Sequence, residues 1–377
     1  MTLFSYLMLA AGLALLIVGA DVLVRGAARL ATAFGTPALV VGLTVVAFGT
    51  SAPETLVSIQ AALEARPEIA LGNVVGSNIF NVLFILGISA LITPLAVSRG
   101  LVRRDVPIMI GVSGLVILLG LNGRLGRGEG LFMLALLLAY TGFLVRDANR
   151  QQRSARADAR TAALAAGRPI DAPPRPTARL VAGNILLILL GLGMLGLGAD
   201  WLVDGAVRIA TALGLSELVI GLTVVAAGTS LPEVAASVAA SLRGERDIAV
   251  GNIVGSNIFN VLLVLGAAAV VAPAGLRIPP AALTFDLPVM TAVAVACLPV
   301  FFTDMEIARW EGAVFLGYYV AYTAFLVLDA TGHEAAPLLG SGLLFFVVPI
   351  TVITLAALSV RALGQRRRTR RRTRREG

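Results

Sequence analysis

The chain has 377 residues, 58% of them hydrophobic and only 14% charged. A soluble domain carries about 25% charged residues, so this composition excludes an ordinary soluble fold and points to the bilayer. The formal net charge is +8, and all 30 basic residues are arginine. Those arginines lie between apolar blocks and in a C-terminal tail, which is the pattern of membrane topology rather than of a nucleic-acid surface.

The segment from Met1 to Gly19 is apolar, with no positive leader and no clear cleavage site, and reads as a first span rather than a signal peptide. Ten further apolar blocks follow, at about 38–63, 69–93, 105–121, 129–146, 181–203, 217–242, 248–272, 282–302, 311–329 and 338–360. The one long polar interruption, rich in Arg, Ala and Pro, runs from Arg146 to Arg179 and reads as a flexible cytoplasmic linker. The expected organisation is a first half at 1–146, a linker at 147–178, a second half at 179–330, and an extra helix with an Arg-rich tail at 337–377. With Met1 outside, 25 of the 30 arginines fall on the cytoplasmic side. The positive-inside rule therefore predicts a multi-pass protein of the cell (inner) membrane, N-terminus outside and C-terminus cytoplasmic. The basic tail is placed to touch anionic lipid. The single cysteine, Cys297, and single histidine, His333, offer neither a disulfide framework nor a metal cluster, and no cofactor is expected.

The two halves repeat each other. Residues 42–81 and 221–260 align at an offset of 179 without a gap, and 25 of the 40 positions are identical. Gly19-Ala20-Asp21 falls on Gly198-Ala199-Asp200, and Asp105-Val106-Pro107 is echoed by Asp286-Leu287-Pro288. Five spans per half put the second copy upside down relative to the first. The predicted fold is thus an all-α membrane protein of two inverted five-helix repeats plus one extra C-terminal transmembrane helix. Secondary transporters are built this way, with the binding site near the midplane where the repeats meet.

Glu54 and Glu233 occupy the same position of the two copies, deep in apolar helices. An ionisable residue at membrane depth is costly and reads as functional. Two bare carboxylates meeting there repel each other, and a cation between them removes that penalty. Hard oxygen ligands suit calcium, sodium or magnesium. Each glutamate ends a polar insertion, Gly49-Thr50-Ser51-Ala52-Pro53-Glu54 or Gly228-Thr229-Ser230-Leu231-Pro232-Glu233. Proline supplies no N–H and clashes with the carbonyl four residues back, so the helix should kink and free carbonyls near Ala47 to Thr50 and Ala226 to Thr229. Downstream, Gly72/Gly76 and Gly251/Gly255 have the spacing that lets helices approach closely. Ser77 and Asn81 share one helix face, as do Ser256 and Asn260. Asp21, Asp200, Asp105 and Asp286 stand near predicted span ends and are expected in helix-terminal or interfacial roles.

At these motifs the chain resembles the sodium/calcium exchanger family of the cation/calcium antiporter superfamily, particularly its prokaryotic members. Glycine-Thr-Ser-x-Pro-Glu followed by Gly-Ser-Asn-Ile-Phe-Asn, twice over, is similar to that family's two repeats, and the resemblance covers about residues 1–330. It implies ten helices in two inverted bundles of five around a central group of calcium and sodium sites. It implies that Glu54 and Glu233 bind calcium with the carbonyls of Thr50 and Thr229. Ala47, Ser51 and Ser77, with Ala226, Ser230 and Ser256, would complete sodium sites, and Asn81 and Asn260 would line the centre. Calcium and sodium are then substrates of an antiporter, not cofactors of an enzyme. By analogy, the first and sixth helices slide against the rest. Some relatives, including potassium-dependent ones, carry an acid where this chain has Asn260, which argues against potassium dependence. A calcium/proton or other divalent antiporter is the alternative. An intramembrane enzyme is disfavoured, because no nucleophile–base constellation accompanies the glutamates.

Overall fold

A computed structural model describes residues 3–34, 36–165, 177–212, 226–302 and 305–342. The first half contains α1 (Leu3–Phe34), α2 (Ala38–Thr50), α3 (Ala52–Leu63), α4 (Pro67–Ile92), α5 (Val106–Leu119) and α6 (Arg127–Ala165). The second half contains α7 (Ala178–Ala212), α8 (Leu231–Leu242), α9 (Arg246–Val271), α10 (Ala282–Phe302) and α11 (Arg309–Ala330), followed by the short α12 (Ala336–Gly342). Among the described residues, seven helices are long and apolar enough to cross a membrane, and the bent pair α2–α3 makes an eighth. Most of the expected block at 338–360, and the whole basic tail, lie outside the described residues.

The expected kink is present in the first copy. Helices α2 and α3 meet at Ser51 with a bend of 44°. Pro53 sits in the first turn of α3, where its missing N–H and fixed φ suit a helix start. In the second copy Pro232 opens α8 after a turn at Thr229–Ser230. Residues 213–225 lie outside the described set.

Wide π-turns recur at matched places. Asn81–Leu86 within α4 corresponds to Asn260–Leu265 within α9, and Leu101–Asp105 before α5 corresponds to Ala282–Asp286 at the start of α10. Such turns interrupt the regular helical ladder and gather at functional positions. Among the described residues, four two-residue strands, β1 (Leu95–Ala96), β2 (Arg124–Leu125), β3 (Leu276–Arg277) and β4 (Glu306–Ile307), tie the copies together. β1 pairs antiparallel with β4, and β2 with β3.

Two packing regions result. The larger core joins α4, α5, α9 and α10 through residues such as Ile79, Ile85, Met109, Ile258 and Phe301, all fully buried. The smaller holds α1 against α7 and α8 through Leu23, Val24, Leu195 and Ala236. α1 and α7 run antiparallel along a glycine seam. Gly12, Gly19 and Gly26 face α7, and Gly191 and Gly198 face α1. A Cβ added at Gly191 would stand 2.6 Å from the Leu23 amide nitrogen, so the seam admits no side chain there.

The segment read as a flexible linker begins as helix, since α6 continues to Ala165. Residues 147–165 are rich in Ala, Arg and Gln, all good helix formers, and the first breakers come later, at Gly167 and Pro169. Residues 166–176 lie outside the described set.

Candidate cation site

The broken helices place the two glutamates. Glu54 lies in the first turn of α3 and Glu233 in the first turn of α8, where the helix dipole and unpaired N–H groups stabilise negative charge. Both side chains are fully buried. Each is reached by a serine of the other copy. Ser230 Oγ donates to Glu54 Oε1 at 3.0 Å, and Ser51 Oγ donates to Glu233 Oε1 at 3.4 Å. Ser77 joins the first of these through a 3.0 Å contact with Ser230. Thr50 Oγ1 lies 3.5 Å from Ser256 Oγ.

α9 enters this cluster at close range. A Cβ added at Gly255 would meet the Ala47 Cβ at 2.8 Å and the Leu43 Cα at 3.0 Å. The expected glycine-mediated approach thus holds for Gly251 and Gly255. At Gly72 and Gly76 no described residue stands within 4 Å of an added Cβ. The Ala47 carbonyl accepts a hydrogen bond from the Ser51 N–H (3.1 Å), and Thr50 Oγ1 lies 3.4 Å from it. Ala226 opens the matching helical turn, Ala226–Gly228. Of the twelve residues singled out from sequence, Thr50, Ser51, Glu54, Ser77, Asn81, Ser230, Glu233, Ser256 and Asn260 are buried polar groups of one interior. Thr229 is half-buried at its edge.

Asparagines hold the cluster together, and spacing alone did not single them out. Thr50 Oγ1 donates to Asn252 Oδ1 at 3.2 Å, and its counterpart Thr229 Oγ1 donates to Asn73 Oδ1 at 3.3 Å. Asn73 in turn donates to Ser58 Oγ (2.9 Å) and to the Glu54 carbonyl (3.2 Å), while Asn252 donates to Ser237 Oγ (3.0 Å). Deeper in, Asn81 donates to Asn257 and Asn260 donates to Asn78, at 3.0 and 3.1 Å. A signal was available: Asn73, Asn78 and Asn81 recur at the 179-residue offset as Asn252, Asn257 and Asn260.

Among the described residues, four buried oxygens of this cluster receive no hydrogen bond: Glu54 Oε2, Glu233 Oε2, Asn81 Oδ1 and Asn260 Oδ1. They form two pairs related by the sequence repeat. Buried acceptors normally have a donor, because leaving one unmet costs roughly 1–3 kcal/mol, more for a charged group. Two carboxylates and two amide oxygens without donors, beside serine and threonine hydroxyls, form a set that a hard cation satisfies.

The aspartates divide. Asp21 is ion-paired with Arg25 on its own helix and with Arg243 at the end of α8, as an interfacial residue would be. Asp105 departs from the expectation. It is 1% exposed and accepts a hydrogen bond from Tyr140 at 3.3 Å. The π-turn at Leu101–Asp105 turns its side chain inward against α6.

A multi-pass helical membrane protein with an acidic, hydroxyl-lined interior at the junction of two sequence repeats is a membrane transporter by class. Residues 4–146 and 183–328 match the family model of the sodium/calcium exchanger protein, and the chain belongs to that family. Inner membrane protein YrbG of Escherichia coli (strain K12) is 38% identical over 320 residues, covering 85% of this chain and 95% of its own length. The sodium/calcium exchanger MaX1 of Methanosarcina acetivorans is 34% identical over 348 residues, covering 85% of this chain and 98% of its own. A solved structure of the sodium-calcium exchanger NCX_Mj, soaked with Na+ and Ca2+, superposes with a TM-score of 0.71 at 30% identity. It covers 86% of this chain and 99% of that one.

Proposed function

We propose that this protein exchanges sodium for calcium across the cell (inner) membrane by alternating access, and that Glu54 and Glu233 together hold the calcium ion. The observation that carries the reading is the donor-free set of Glu54 Oε2, Glu233 Oε2, Asn81 Oδ1 and Asn260 Oδ1 in a fully buried interior. Two carboxylates balance the charge of one calcium. The resemblance to the exchanger family implies the carbonyls of Thr50 and Thr229 as further calcium ligands, while their hydroxyls are engaged with Asn252 and Asn73. Ser51, Ser77 and Ala47, with Ser230, Ser256 and Ala226, form the flanking sodium sites. Each glutamate serves both loads, so full occupancy by sodium and by calcium exclude each other.

The two copies are inverted about the membrane plane, with five spans each. The strand pairs support this. β1 and β3 are corresponding segments, as are β2 and β4, yet β1 joins β4 and β2 joins β3. Such a swap is what a two-fold axis between inverted repeats produces, with one strand pair on each side of the membrane. The arginine distribution puts the β1–β4 side and the C-terminus in the cytoplasm, with the N-terminus outside. The tail that follows 361 meets anionic lipid there. α1 and α7 slide as a pair along their apolar flank while the central cluster stays put. Exchange of three sodium ions for one calcium would move one net charge per cycle, coupling transport to voltage by about 2.3 kcal/mol per 100 mV. Inward sodium flow then extrudes calcium.

Sodium-loaded liposomes containing the protein, diluted into sodium-free buffer with labelled calcium, provide the test. Uptake should require internal sodium and persist when the pH gradient is collapsed. Uptake that follows the proton gradient instead would make the protein a calcium/proton antiporter.

A further inference from the structure

The geometry points to Asn78 and Asn257 as positioning residues that fix which end of the Asn81 and Asn260 side-chain amides faces the transported cation. The inference rests on the exchanger reading of the central cluster. A carboxamide has a donor end and an acceptor end of nearly the same shape, and only the oxygen end can ligate a cation. In Asn81 and Asn260 the choice is made by their neighbours. Asn78 Nδ2 donates to the backbone carbonyl of Asn257 at 3.3 Å, and Asn257 Nδ2 donates to the carbonyl of Asn78 at 3.4 Å. Each Nδ2 also faces a methionine sulfur, Met290 at 3.5 Å and Met109 at 3.6 Å. Carbonyls and thioethers only accept, so neither anchor amide can turn over without setting acceptor against acceptor.

The polarity then propagates. With its nitrogen committed, Asn257 presents Oδ1 to Asn81, which must donate its own Nδ2 at 3.0 Å. Asn78 presents Oδ1 to Asn260, which donates at 3.1 Å. The free end of both terminal amides is therefore oxygen, and those are the two amide oxygens without a donor. Two backbone carbonyls thus orient four side chains, and neither anchor need touch the ion. Asn81 and Asn260 also open the matched π-turns, so the anchors act at the points where α4 and α9 leave regular helix.

The test is a double-mutant cycle in the full-length protein. Asn257→Leu keeps the branched shape of the side chain but leaves Asn81 unoriented. Asn81→Asp presents oxygen whichever way it turns, so it should no longer need the anchor. We expect Asn257→Leu alone to raise the calcium concentration for half-maximal uptake about tenfold, with maximal rate largely kept, and to shrink calcium-induced thermal stabilisation in detergent. In the Asn81→Asp background the same change should cost less than about threefold. Asn78→Leu with Asn260→Asp repeats the cycle in the other copy if the first variant does not fold. Equal losses in both backgrounds would overturn the proposal and leave Asn257 and Asn78 as packing residues. A wild-type protein without calcium- or sodium-dependent flux or stabilisation would instead sink the exchanger reading itself, and this role with it.

Discussion

The centre of the molecule and the α1–α7 edge come from the same duplicated sequence and are closed by opposite means. At the centre, side chains of one copy reach polar groups of the other: Ser230 to Glu54, Ser51 to Glu233, Thr50 to Asn252, Thr229 to Asn73. At the edge, glycines bring backbone against backbone, with Gly12 facing Gly198 and Gly19 facing Gly191. The polar contacts are directional, and losing one partner strands the other in a buried place. The glycine contacts are close backbone packing, which sets how near the two helices approach. In the proposed cycle the polar centre holds the ions and the α1–α7 pair moves as a unit beside it.

Breaking the centre should give the largest effect. Glu54→Gln or Glu233→Gln should each lower sodium-dependent calcium uptake at least about 100-fold, since a charge on a doubly charged ion is lost in a low-dielectric interior. Melting temperature without cations should hold or rise, because one of two facing buried carboxylates is gone. Flux assays and thermal unfolding in detergent check the two halves of this statement. At the edge, Gly191→Leu should act on folding instead. Its side chain would meet the Leu23 backbone, and overpacking of this kind costs typically 1–3 kcal/mol, read as a lower melting temperature and reduced yield.

Milder changes sharpen the contrast. Thr229→Val removes the donor to Asn73 and should weaken apparent calcium affinity about fivefold, in line with roughly 1 kcal/mol for a neutral hydrogen bond. Arg243→Gln should do least. Its pair with Asp21 joins α8 to α1, but both side chains are about one-third exposed, and such pairs contribute 0–1 kcal/mol at most. Any effect should fade as ionic strength rises. The offset position in the first copy is Glu64, so the matching pair with Asp200 cannot form, and the latch is one-sided.

Much of the site was legible because duplication marks it. Glu54 and Glu233, with the Thr-Ser pairs before them, stand out as polar insertions repeated in apolar helices, and the bend at Ser51 follows from Pro53. What sequence spacing does not carry is the partner across the repeat. Face-sharing rules place Ser77 beside Asn81, but nothing local sets Asn78 against the Asn257 carbonyl, because that contact is made by how α4 crosses α9. Asp105 went the same way. A carboxylate near a predicted span end reads as helix-terminal or interfacial, and the π-turn and Tyr140 bring it inside. The helical start of the linker was hidden by its arginines, which signal exposure but also favour helix.

One interior shared by two ions is tested more directly by binding than by flux. Labelled calcium should bind the purified protein saturably, be displaced by sodium but not by potassium, and fail to bind when Glu54→Gln and Glu233→Gln are combined. Calcium binding that survives that double substitution, or that sodium leaves untouched, would contradict the account.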